Sequence, residues 1–189
     1  MTRLGIFGGS FDPPHNAHLE IATLAMERIP LDTLYFIPSY QAPLKSHPPK
    51  APARHRLAMV KLLAEMRTDW EVRTYEIEQE RVVTTIETVE YLKHREPRAS
   101  CYLIVGGDQA AKLHQWKQWK RLTQLVHIVC FAREGPPPAV PVANQLMIIP
   151  FANPLSSSLV REQIRAGAST DTILPQIVLS YIQEHQLYL

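Results

Sequence analysis

Leu4-Gly5-Ile6-Phe7-Gly8-Gly9-Ser10-Phe11-Asp12-Pro13-Pro14-His15-Asn16-Ala17-His18 passes from a short apolar run, through a glycine pair, into an amphipathic segment. That order reads as strand, loop, helix. Two glycines directly after a buried strand let backbone N–H groups approach an anion closely, and the positive end of the following helix adds to the attraction. His15 and His18, three residues apart, share one side of the first helical turn and offer two imidazole donors to the same anion. Pro13 and Pro14 stiffen the approach and keep Asp12 and Pro13 out of helical geometry. A glycine pair or a histidine pair alone is more often a turn or a surface feature; in this context, together, they read as a polyphosphate site. Zinc fits poorly, because helical zinc pairs sit four apart with a glutamate between them and neither cysteine is near in sequence. No side chain is assigned to a metal from the sequence.

Outward from this stretch the same alternation continues. Leu4 to Phe7, Thr33 to Ile37, Tyr102 to Val105, Val126 to Phe131 and Leu146 to Ile149 are short, branched and aromatic, as buried strands are. Ala17 to Arg28, Ala53 to Met66, Thr85 to Arg95 and Trp116 to Leu125 carry apolar residues at helical spacing. Strands alternating with helices predict an α/β fold with a doubly wound parallel sheet. Gly8-Gly9 ends the first strand and Gly106-Gly107-Asp108 follows Val105. In such sheets ligands bind beyond the carboxyl ends of the strands, where the winding reverses, so both glycine turns are expected to line one cleft. The spacing is not G-x-G-x-x-G, which argues against a dinucleotide redox cofactor.

The chain has 189 residues, 46% of them hydrophobic, enough for one substantial core, so a single domain over 1–189 is expected. A net charge of +2, from 20 basic and 18 acidic residues, excludes the global field of a dedicated nucleic-acid binder. Cys101 and Cys130 both lie in apolar runs and the first residues show no signal segment, which together fit a reduced cytoplasm. Charges or prolines interrupt every apolar stretch before it reaches a membrane span. Ser39 to Pro52 is rich in proline and carries Lys45, His47 and Lys50; it reads either as a solvated connection or as a basic flap that reaches over phosphates. Gly135-Pro136-Pro137-Pro138 with Pro141 reads as an extended loop without chemistry of its own.

Late in the chain, Ser156-Ser157-Ser158-Leu159-Val160-Arg161 places three hydroxyls ahead of a helical pattern that Gly167 is placed to stop. For Ser156 alone an N-cap explains the residue. Three consecutive serines also crowd hydroxyls and free N–H groups at a helix start, with the Arg161 guanidinium one turn on.

These two segments resemble the H-x-G-H-type and I-S-S-T-x-x-R-type motifs of the nucleotidylyltransferase superfamily. Together with Leu174-Pro175 to Tyr181 and Leu187-Tyr188 they resemble, over nearly the whole chain, the bacterial nicotinate-nucleotide adenylyltransferases. The resemblance implies a Rossmann-like nucleotidylyltransferase fold and adenylyl transfer from ATP to nicotinate mononucleotide. The products are then nicotinate adenine dinucleotide and pyrophosphate, a step of NAD biosynthesis aided by Mg²⁺. Transfer of this kind is mostly positioning and charge stabilisation, which makes His15, His18, Lys45 and Arg161 clamps rather than nucleophiles. The resemblance gives catalytic roles to His15, His18 and Arg161, with His18 donating to the reacting phosphate and Arg161 on the departing β- and γ-phosphates. It gives ATP contacts to Gly8, Gly9, Ser10, Phe11, Lys45, Gly106, Asp108, Ser156, Ser157 and Ser158, with Asp108 near the ribose or, equally, capping a helix. Substrate contacts fall to Thr85 and Lys117 through their backbone amides, to Trp116 by stacking or else as a core aromatic, and to Arg133 as a phosphate contact or an ordinary strand-end charge.

The chain departs from the family at Ala17, usually glycine, at Ser158, usually threonine, and at Thr84, usually aromatic. The rival readings are the same chemistry on nicotinamide mononucleotide or phosphopantetheine, and a non-catalytic nucleotide sensor. The expected partners are small molecules, ATP and the acceptor, with neither nucleic acid nor membrane; a homo-oligomer is left open.

Overall fold

The computed structural model describes residues 1–45, 47–132 and 146–189. These residues form a six-stranded, wholly parallel sheet: β1 (Arg3–Gly9), β2 (Thr33–Pro38), β3 (Trp70–Val72), β4 (Ser100–Gly106), β5 (His127–Ala132) and β6 (Leu146–Pro150). The order across the sheet is β3-β2-β1-β4-β5-β6, so the winding reverses between β1 and β4. The helices are α1 (Asn16–Arg28), α2 (Ala53–Ala64), α3 (Tyr75–Glu78), α4 (Thr85–Arg95), α5 (Gly107–Ala110), α6 (Trp119–Leu125), α7 (Ser157–Arg165) and α8 (Gln176–Glu184).

Side-chain alternation along the strands divides the core in two, because successive residues point to opposite faces. Cys101, Leu103 and Val105 of β4 meet Ile86, Val89 and Leu92 of α4 and Leu122 of α6. Ile104 of β4, with Phe36 of β2 and Val129 of β5, meets Ala22 and Ala25 of α1 and Val60 and Leu63 of α2. Each parallel crossover carries the chain from the carboxyl end of one strand back to the amino end of the next, so α1 and α4 both begin at the carboxyl ends of the strands. A third cluster joins Met59 of α2 to Val160 of α7 and Val178, Leu179 and Ile182 of α8. That cluster fastens the late helices beside the first half of the sheet.

The doubly wound parallel sheet read from the sequence is the observed architecture, with some differences of detail. β3 spans only three residues and α3 only four, too short to show a period, and neither was expected. The helix expected from Trp116 begins at Trp119 instead, because Gln118 adopts a left-handed φ of 51° and breaks the helical run. Trp116 therefore follows a 3-10 turn, Leu113–Gln115, outside α6. Gly167, with φ 65°, stands just beyond α7 as its sequence position suggested. The proline-rich run from Gly135 lies outside the described residues.

Candidate active site

A cavity of about 700 Å³ opens at the carboxyl ends of β1 and β4, the point where the winding reverses. Gly8, Ser10, Asp12, His15 and His18 line it from the first loop and α1, Gly106 and Asp108 from the end of β4, and Ser156, Ser157, Ser158 and Arg161 from α7. Ala42, Leu44, Lys45, His47, Pro48, Pro49 and Lys50 close another side. Both glycine turns do converge, and the basic segment does border the cavity.

The histidines occupy the start of α1. His15 is its N-cap residue, and the two rings lie 3.8 Å apart between centroids. Burial pulls the His15 pKa down to about 4. Burial, with the neighbouring charges of His15 and Lys45, holds His18 well below its ordinary value too. Both rings are thus neutral near pH 7. The backbone N–H of His15 donates to Nδ1 of His18 over 3.2 Å, so the neutral His18 ring carries its proton on Nε2. Nδ1 of His15 is buried without a protein partner, the sort of orphan that a bound ligand satisfies.

Phe11 is buried edge-on against Phe7 and Phe36, with a left-handed φ of 46°. A Cβ on Gly9 would stand 3.1 Å from the Phe11 ring, so only glycine fits there without displacing it. Neither Gly9 nor Phe11 is among the residues that line the cavity; of the four expected from this loop, Gly8 and Ser10 are. Lys45 Nζ donates to Ser10 Oγ at 3.3 Å, bringing a cation to the first loop.

Each of the three serines does something different. Ser156 Oγ accepts from the Leu159 N–H and caps α7. Ser157 Oγ donates to the Pro13 carbonyl at 2.9 Å, tying α7 to the first loop. Ser158 Oγ accepts from Arg161 Nη2 at 3.1 Å, while Arg161 Nη1 donates to the Asp12 carbonyl at 2.7 Å. Asp108 lies in the first turn of α5, whose N-cap is Gly106, so it does not cap that helix; its carboxylate accepts from Gln109 Nε2 at 3.2 Å and lines the cavity.

Thr85 at the start of α4, and Trp116 and Lys117 just before α6, lie outside the lining of the cavity. Thr84 is the N-cap of α4, and its N–H and hydroxyl both donate to Glu87 Oε1. The Thr84 and Arg81 contacts hold the Glu87 pKa at about 2. Lys117 Nζ stands 3.5 Å from the same Glu87 oxygen, linking Lys117 to the α4 start. Trp116 is half-buried and packs on the α4 side of the core. Arg133 lies outside the described residues.

Two residues that organise this site have no counterpart in the sequence reading. Arg56 on α2 is buried, and its guanidinium donates to the carbonyls of Ser10, Ser39, Tyr40 and Ala51, drawing together the ends of β1, β2 and the basic segment. Its signal was available: an arginine at a core-facing position, three before Met59 and four before Val60. Asp12, inside the quoted stretch, is a buried carboxylate with four protein neighbours at its oxygens.

Comparison with known proteins follows the same lines. The family model described as cytidylyltransferase-like matches residues 6–163. A probable nicotinate-nucleotide adenylyltransferase of Bacillus pumilus is 34% identical over 188 residues, covering 100% of this chain and 99% of the relative. The nicotinate-nucleotide adenylyltransferase of Bacillus subtilis is 31% identical over the same share. The chain's fold is similar to that of a Plasmodium falciparum nicotinic acid mononucleotide adenylyltransferase complexed with NaAD, at TM-score 0.79 and 16% identity, covering 100% of this chain and 98% of that one.

Proposed function

The chain belongs to the cytidylyltransferase-like family and, within it, to the nicotinate-nucleotide adenylyltransferases, and from that membership we infer adenylyl transfer from ATP to nicotinate mononucleotide. The acceptor's phosphate oxygen attacks the α-phosphorus of ATP, the bond from that phosphorus to the bridging oxygen breaks, and pyrophosphate leaves. Nicotinate adenine dinucleotide is the other product. The observation that carries this reading is the convergence of His15 and His18 with Ser156–Ser158 and Arg161 on one cavity at the switch point of the sheet.

The residue roles are our assignment. His18, neutral and carrying its proton on Nε2, donates a hydrogen bond to the reacting phosphate without a proton leaving the ring. Arg161 and Lys45 hold the departing phosphates, and Gly8 and Ser10 on the first loop follow the nucleotide. Asp108 suits ribose hydroxyls as an acceptor. The start of α4 at Thr85 and the indole of Trp116 then serve the nicotinate ring and its carboxylate, which favours a helix N-terminus.

Magnesium, on this reading, arrives with ATP. Asp12 and Asp108 are the carboxylates on the cavity wall, and the oxygens of Asp12 are already engaged. Among the described residues no group of three or more His, Cys, Asp or Glu side chains stands together as a metal site. An ion that dehydrates reluctantly and prefers phosphate oxygens and water suits such a cavity. Cys101 and Cys130 are buried free thiols, consistent with our placing the protein in the cytoplasm. Among the described residues no helix is long and apolar enough to cross a membrane.

The test is pyrophosphate release and dinucleotide formation with ATP and Mg²⁺, using nicotinate mononucleotide, nicotinamide mononucleotide or phosphopantetheine as acceptor. Preference for nicotinate mononucleotide is expected. Preference for another acceptor would leave the phosphate chemistry standing and displace the roles of Thr85 and Trp116. ATP binding without turnover on any acceptor would favour a sensor.

A further inference from the structure

Asp12 sits where three parts of the chain meet. Its Oδ2 accepts from the Lys50 N–H at 2.7 Å, and its Oδ1 accepts from the Ala51 N–H at 2.9 Å and from the Tyr188 hydroxyl at 3.0 Å. Arg161 Nη1 lies 3.6 Å from Oδ2 and donates to the main-chain carbonyl of the same residue. Asp12 is buried, 5% exposed, and so many donors leave its carboxylate no freedom to serve as a base. A buried carboxylate is costly unless its partners are complete, and these partners come from the basic segment, from α7 and from the stretch after α8. What Asp12 holds is therefore geometry.

Tyr188 is the most distant partner in sequence, and two observations mark it out. Its backbone has φ 67°, a left-handed conformation that a bulky residue adopts only where the surroundings enforce it. Its ring is buried in the same cluster as Ala51 and Val160, the neighbours in sequence of the segment's anchor at Lys50 and of Arg161. Burial, with the facing carboxylate, pushes the hydroxyl's pKa far above its ordinary value, so it remains a donor.

We propose that Asp12 and Tyr188 form a clasp that positions Arg161 and the end of the basic segment over the phosphates of ATP, with Tyr188 a positioning residue supplied from beyond α8. The idea rests on the adenylyl-transfer reading above. Arg161 is oriented from two sides, by the Asp12 carbonyl at Nη1 and by Ser158 at Nη2. The carboxylate of the same Asp12 pins Lys50 and Ala51, where the segment that carries Lys45 rejoins α2. The Tyr188 hydroxyl completes the donors on Oδ1. Without it Oδ1 keeps only the Ala51 N–H, and the hold of the carboxylate on the segment and on the guanidinium loosens. Asn16 ties the same region from the other side, donating from its side chain to the Thr172 carbonyl at 2.9 Å and from its backbone to that of Ile173 at 3.0 Å. The late helices thereby brace the first loop rather than merely cover the sheet.

Tyr188→Phe removes the hydroxyl and keeps the ring in its cluster. The expected result is a fall of about tenfold in kcat/KM for ATP, shared between kcat and KM, since a hydrogen bond to a charged group is being lost. KM for the acceptor stays within about twofold, a split that general destabilisation would not produce. In the protein without nucleotide, amide hydrogen exchange at Lys50 and Ala51 quickens by about the same tenfold. Unchanged exchange at those two amides would overturn the clasp whether or not the protein transfers adenylyl groups. Faster exchange with native kinetics would overturn the positioning role. Absence of turnover in the unsubstituted protein would instead strike the adenylyl-transfer reading, and the exchange measurement would still decide the clasp.

Discussion

His18 carries the sharpest expectation at the scale of one residue. Its substitution by alanine removes one aimed donor, which in comparable sites costs about 10²- to 10³-fold in rate. The fold should survive, because the ring lines the cavity, with a modest cost at the start of α1 where the His15 N–H loses its acceptor. Steady-state rates beside a melting curve test this, and a variant as fast as the original protein would sink the role. The protonation state gives a second expectation. Burial keeps His18 neutral, so a donor that works as imidazole needs no acid to activate it. The pH profile of kcat/KM for ATP, which reports the free enzyme, should therefore show no decline as pH rises from 6 to 8. A decline centred near 6.5 would mean that imidazolium is the working form. His15, His18, the serines and Arg161 were legible because each belongs to a run whose residue types crowd donors at a helix start. Asp12 was not, for its partners Lys50, Ala51 and Tyr188 come from segments whose meeting depends on how α2, α7 and α8 pack.

Among the elements, α2 shows how one helix sets several loops. Arg56 sends its guanidinium to four backbone carbonyls, and only a planar fork with several donors reaches them together. Arg56→Lys keeps the charge but strands most of those carbonyls, and we expect a loss of about 3–5 kcal/mol in urea unfolding, by analogy with a broken buried charge pair. A loss below about 1 kcal/mol would show that water takes over the carbonyls readily. Most of the longer elements were readable in outline from the sequence, but α8, Gln176–Glu184, was not read as a helix. Thr85–Arg95 was delimited in full, because Thr84 begins a capping box with Glu87 and the apolar period is unbroken. β3 was not, since Trp70-Glu71-Val72 is held by its pairing with Leu34, Tyr35 and Phe36 rather than by any pattern of its own. The start of α6 was misplaced by three residues for a related reason: a left-handed Gln118 is a local event that no periodicity reveals.

Across the whole molecule, two buried groups on different helices pull stability in opposite directions with pH. His15, at the start of α1, has its pKa lowered from 6.5 to about 4 by burial. Its unfolded form takes up a proton first, so its contribution to stability is full above 6.5 and is lost as pH falls towards 4. Glu76, on α3, accepts from the Thr88 hydroxyl of α4 at 2.6 Å, yet burial, the largest influence, raises its pKa from 4.5 to about 7. Here the folded form holds the proton longer. Its contribution is full below 4.5 and is lost as pH rises through 7. Each shift corresponds to about 3 kcal/mol at most, and between 4.5 and 6.5 the Glu76 slope opposes that of His15, to which His18 adds in the same direction. Glu76→Gln removes one of them while keeping an oxygen for Thr88. The variant should match the original protein near pH 4.5 and exceed it by a margin that grows to about 3 kcal/mol by pH 8, while its own acid limb becomes steeper. Urea unfolding of both proteins across that range measures the difference directly. A difference that does not change with pH would mean that Glu76 is ionised in the folded protein throughout, and that the contact between α3 and α4 tolerates a buried charge.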